Sequence, residues 1–186
     1  MSTSKIQARD LVRVLLGAVV IAVAAQVSLQ IPGLRRDLPL SWQPAAAIVV
    51  GFLLRHPAGW LAVLLYLFIG AAGWPIYPFG NGEGIELLKK AEGAYLGGSL
   101  LAAAAVGYLA QRGWGQTLSR SFGAMVIGTV IVMFSGWLRV LLGFGLDRAF
   151  TWAFFPKIPE AALMALVCAP LVRLLEKRRS KVDEWV

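Results

Sequence analysis

The sequence predicts an all-α integral membrane protein, with six transmembrane helices, the second of them short, in one domain over residues 1–186. Three observations carry this. Of 186 residues, 58% are apolar and 15% charged, against about 45–50% and about 25% in a soluble domain. Such a chain is too greasy to cover itself in water. Its apolar residues gather into six runs, and its cations are divided unequally between alternate connections, as in a chain whose basic turns stay in the cytoplasm.

Composition also excludes classes. High hydrophobicity excludes a disordered chain. A single cysteine, Cys168, excludes a disulfide scaffold, and a single histidine, His56, leaves little for a zinc site. The formal charge of +8 would suggest nucleic acid in a soluble protein. In a membrane chain it reflects cations held on one side, so no nucleic-acid partner is expected.

A helix needs about 20 apolar residues to cross the hydrocarbon core. The first run, about 11–29, is broken only by Arg13 near its start, where a long side chain snorkels. It is longer than the core of a signal peptide, and no small-residue cleavage site follows, so it reads as a span. The second, 44–54, is too short to cross alone and must be tilted or half-buried. The third, 60–76, is closed by Pro75 and Pro78, and the fourth, 94–110, is rich in Gly and Ala. The fifth, 122–144, holds Arg139. The sixth, 159–175, opens with Pro159, which suits a first helical turn.

Six crossings put both termini on one side. That side holds eleven cations, among them Lys5, Arg9, Arg13, Arg55, Arg112, Arg120, Arg173 and Lys177; the other holds six, including Lys89 and Lys157. The eleven are expected in the cytoplasm. The outer connections also carry six acids, such as Glu86, Asp147 and Glu160, and are close to neutral.

Those outer connections (30–43, 77–93, 146–158) are the longer ones, and Trp42, Trp74, Tyr77, Tyr95, Trp137 and Trp152 lie in or near them. Each ring alone reads as part of an interfacial belt. Together with a few polar groups they suit a pocket for a small molecule. Arg139, in the outer half of its span, either meets an anionic ligand group or pairs with Glu160 or Asp147. Glu160 opens the sixth helix, where a carboxylate also suits the helix dipole. Asn81, between Gly80 and Gly82, first reads as a turn, and Ser41 and Gln43 as a loop. Ala18 and Ala22 leave a low-relief face that either packs internally or docks a partner. No G-x-S-x-G, H-E-x-x-H or Walker sequence occurs, so no catalytic role is expected, and active transport would need energy from another subunit.

Four pieces in register resemble one family. Pro39-Leu40-Ser41-Trp42-Gln43 followed by an apolar run is similar to P-x-T-x-Q. The stretch Tyr66-Leu67-Phe68-Ile69-Gly70-Ala71-Ala72-Gly73-Trp74-Pro75-Ile76-Tyr77 resembles Y-L-x-x-G-x-x-G-x-P-V-F. Glycines 80, 82 and 84 follow, and Gly93-Ala94-Tyr95-Leu96-Gly97-Gly98 resembles G-G-Y-L-x-G. Order and spacing, over about residues 10–175, are similar to the BioY family, the biotin-binding S components of energy-coupling-factor transporters.

The resemblance implies an S-component-like bundle in the cytoplasmic membrane that captures biotin from outside. Its partners would be a transmembrane coupling subunit and paired ATPases, which hydrolyse the ATP; this chain would bind no cofactor or metal. Ala18 and Ala22 match the small residues that meet the coupling subunit. The outer connections would close over the ligand, which raises Gln43, Trp74, Tyr77, Asn81 and Tyr95 as contacts. One motif departs. Where the family has P-G-D-x-x-K, this chain has Phe155-Pro156-Lys157-Ile158-Pro159-Glu160 and then Leu163. Glu160 would receive the ureido N–H groups, and Lys157 or Arg139 the carboxylate. Another small vitamin, or an assembly protein without ligand, are the alternatives.

Overall fold

A computed structural model describes residues 8–29, 40–77 and 84–183. Each of the six runs is helical over most of its length. In chain order the elements are α1 (Ala8–Gln26), a two-residue pair β1 (Ser28–Leu29) and β2 (Leu40–Ser41), α2 (Gln43–Leu54) and α3 (Ala58–Ala71). The short α4 (Ile85–Lys89) is followed by α5 (Ala91–Gln111), α6 (Leu118–Phe144), a single turn α7 (Leu146–Arg148) and α8 (Ile158–Asp183). By length and composition, three segments can cross a membrane: Gly93–Gln111, Leu118–Phe144 and Leu146–Arg178. The 12 residues of α2 and 14 of α3 reach about 18 and 21 Å at 1.5 Å per residue, short of the core thickness.

Local chemistry places the helix ends. Pro44 occupies the first turn of α2, where its missing N–H costs nothing. Thr117 caps α6, its Oγ1 accepting from the Arg120 amide at 3.3 Å. The third run stops at Ala71, earlier than its hydropathy suggests. Gly73 takes φ +97 and Pro75 cannot continue a helix, so residues 72–77 fold back over α3. The Ile76 carbonyl there accepts from both Gln26 Nε2 and the Tyr66 hydroxyl, each at 3.2 Å.

Two outer connections read as loops differ in the structure. Residues 77–93 contain α4. Residues 146–158 are helical throughout, passing from α7 through a π-helical turn (149–154) and a 3-10 turn (155–157) into α8. Pro156 has no N–H to give, so the regular ladder is displaced around it.

Small residues set the packing. A Cβ on Gly51 of α2 would stand 2.6 Å from Ala103 Cα of α5, so the two backbones run nearly in contact. One apolar cluster joins α2, α5, α6 and α8 through Ile48, Phe52, Val106, Met125, Met164 and Val172. A second joins α1, α2, α3 and α5 through Ile21, Ala47, Ala62, Val63, Tyr66 and Ala103. The outer faces stay greasy: Leu16, Val23, Phe134, Leu142 and Leu166 are all exposed, as lipid-facing side chains are.

The bundle sorts its ends by charge. Arg55 after α2 pairs with Glu176 late in α8 at 3.0 Å, and Arg173 donates to Gly115 O before α6 at 3.0 Å. These contacts gather the turns 55–57 and 112–117 with the C-terminal half of α8. The starts of α2, α5 and α8 and the end of α6 lie at the opposite end.

Candidate functional site

At that opposite end, three elements bring Tyr95, Lys157 and Glu160 together. The turn through Pro156 delivers Lys157, and Glu160 follows one helical turn later. Lys157 Nζ lies 2.6 Å from Glu160 Oε2 and 5.6 Å from the centre of the Tyr95 ring. Glu160 is 6% exposed; a carboxylate that deep in a membrane bundle requires its cation. The Tyr95 ring fills the space over Gly136, whose Cβ, if it had one, would fall 2.1 Å from the ring carbons. The Tyr95 hydroxyl donates to Ala153 O at 3.2 Å. One phenol thereby joins α5 to α6 and to the π-helical turn.

Gln43 is the first residue of α2 rather than part of a loop. Its backbone N–H donates to Ser41 Oγ at 3.2 Å. Its side chain is 1% exposed, and its Nε2 has no partner. A buried amide left unpaired costs about 1–3 kcal/mol. Trp42 beside it and Tyr95 pack on the same apolar cluster. Trp137, one of the outer aromatics and not singled out in the sequence as a contact, has a buried Nε1 without a partner and packs with Tyr95 against Val140, Ala149 and Ala153. Phe150 meets it edge-on at 5.7 Å. Nothing in its sequence context separates Trp137 from the interfacial rings. Two unspent N–H donors, a carboxylate, an ammonium and aromatic walls thus share one end of the bundle.

Other candidates make different contacts. Tyr77 turns inward: it is 3% exposed, edge-on to Tyr66 at 5.7 Å, and its hydroxyl donates to Leu67 O. Its ring occupies the space that Gly70 leaves, so it bolts the fold-back to α3. Trp74 is 66% exposed on that turn. Arg139 pairs with neither Glu160 nor Asp147 among the contacts described; its Nη2 donates to Lys89 O at 3.1 Å, joining α6 to α4. Asn81 lies outside the described residues, as does 30–39, the body of the first outer connection.

Ala18 is 5% exposed and packs into the cluster with Ala62 and Tyr66, with Ala22 half-buried against it. That is the internal one of the two readings of this stripe. The face of α1 left open is Leu11, Leu15, Val19 and Val23 with Leu16 and Val20. Among the described residues no group of three His, Cys, Asp or Glu side chains is placed to hold a metal.

The model of the BioY family matches residues 1–181. A biotin transporter, BioY, of Rhizobium etli is 30% identical over 145 residues, 73% of this chain and 76% of its own. A biotin transporter, BioY2, of Lactococcus lactis is 29% identical over 175 residues, covering 89% of this chain and 91% of its own. A probable biotin transporter of Pyrococcus horikoshii is 25% identical, covering 91% and 98%. In three dimensions the chain is similar to the crystal structure of a biotin S-component from an ECF-type ABC transporter, with TM-score 0.76 over 95% of both chains and 20% identity. At that identity the likeness speaks for the fold.

Proposed function

The chain belongs to the BioY family, and on that premise we propose that it captures biotin at the Glu160 end of the bundle and delivers it across the membrane. It is a membrane protein, and the basic end lies in the cytoplasm with both termini. The observation that carries the site is the buried, partnerless Gln43 amide at the end that also holds the Lys157–Glu160 pair. Unspent N–H donors suit the ureido oxygen. The Glu160 carboxylate accepts the ureido N–H groups by charge-assisted bonds. Lys157 then turns to the ligand's carboxylate, and Tyr95, Trp42 and Trp137 enclose the apolar rings.

Energy comes from elsewhere, since the sequence has no Walker motif. A transmembrane coupling subunit and paired ATPases supply it, and the chain itself is not an enzyme. The open apolar face of α1 is the surface such a subunit would cover.

Calorimetric titration of the purified chain in detergent tests the reading. Saturable, one-to-one binding of biotin is expected. Silence with biotin alongside binding of riboflavin or thiamin would reassign the ligand.

A further inference from the structure

The basic end contains a cavity of about 350 Å³ that capture of a ligand at the other end does not use. Its polar lining is Arg55, Gln111, Gln116, Arg173 and Glu176. This volume falls in the range of ligand pockets, about 300–1,000 Å³. Arg55 reaches it from a left-handed backbone, φ 61, a strain that persists where the surroundings hold a residue in place and that gathers at ligand clamps. The Arg55–Glu176 pair is incomplete: Arg55 Nε and Glu176 Oε1 are both buried without partners. Arg173 uses Nη1 on Gly115 O.

We propose that this cavity binds the headgroup of an anionic membrane phospholipid. Two guanidinium forks and the Gln116 amide match phosphate oxygens, while Gln111 Nε2 already donates to His56 O. The free Glu176 oxygen repels phosphate but accepts a hydroxyl, so a headgroup carrying a hydroxyl beside its phosphate uses Glu176 as well. A lipid is favoured over free phosphate because apolar surface stands close by: Leu118 and Leu174, near Gly115 and Arg173 in the chain, are both exposed. The site also lies at the end where Arg112, Arg120 and Lys177 concentrate positive charge, and basic pockets between helices on that side hold lipid headgroups.

Native mass spectrometry of the purified chain with phosphatidylglycerol or phosphatidylcholine, beside Arg173→Gln and Gln116→Leu, is the test. Preferential retention of phosphatidylglycerol is expected, falling about fivefold in Arg173→Gln, the worth of one cation near an anionic surface, with biotin affinity unchanged. Gln116 is exposed, so Gln116→Leu carries the same comparison should Arg173→Gln not fold. Equal retention of the two lipids overturns the proposal, as does undiminished phosphatidylglycerol in both variants. A melting shift with inorganic phosphate as large as with phosphatidylglycerol overturns the lipid assignment.

Discussion

Lys157 and Glu160 are one helical turn apart, with Nζ 2.6 Å from Oε2 and side chains 22% and 8% exposed. The order of base and acid along the chain is the reverse of the motif this segment resembles, yet the turn at Pro156 still places both charges beside Tyr95. Removing one partner of such a pair strands the other, at a cost of about 3–5 kcal/mol. Lys157→Met should therefore lower the melting temperature sharply, and Lys157→Met with Glu160→Gln should recover most of the loss. Biotin affinity should stay low in both. A double variant no more stable than the single would show that the pair is not coupled.

At the proposed site, Gln43 sets binding against stability. Its Nε2 has no partner, so Gln43→Leu should stabilise the ligand-free chain by about 1–3 kcal/mol while weakening biotin. Thermal melts without ligand, read beside calorimetry with it, check both signs. Unchanged affinity would remove Gln43 from the site.

Gly136 is the floor on which Tyr95 rests. A methyl group there collides with the ring, and overpacking of this kind costs about 1–3 kcal/mol. Gly136→Ala should lower both stability and affinity. In Gly136→Ala with Tyr95→Leu stability should return without affinity, because the ring itself is missing. Full affinity in that double variant would exclude Tyr95 as a contact.

Topology is open to chemical labelling, because Cys168 is the sole cysteine and is buried. In a Cys168→Ala background, Arg112→Cys should react with an impermeant maleimide only from the cytoplasmic side, and Arg148→Cys only from outside. Labelling of Arg112→Cys on intact cells would invert the orientation.

Much was legible in the linear chain because it depends on the chain alone. Hydropathy runs mark the six helices, since backbone groups in lipid must bond within their own segment. Cation counts separate the ends, and the ordered pieces around Gln43, Tyr66–Tyr77 and Tyr95 mark the family. Tertiary structure decided which of these residues stand together. Tyr77 and Tyr95 look alike in sequence, each a tyrosine in a glycine-rich outer stretch. Tyr77 is spent on Gly70, seven residues away, while Tyr95 crosses to Gly136 and stands beside Lys157. Ala18 faces inward because α3 approaches on that side, and Arg139 is tied to Lys89 by a contact 50 residues apart in sequence. Spacing along a helix gives the direction in which a side chain leaves its own backbone. What it meets depends on which distant helix carries a glycine, a carbonyl or a charge at that height, and only the packed bundle determines that.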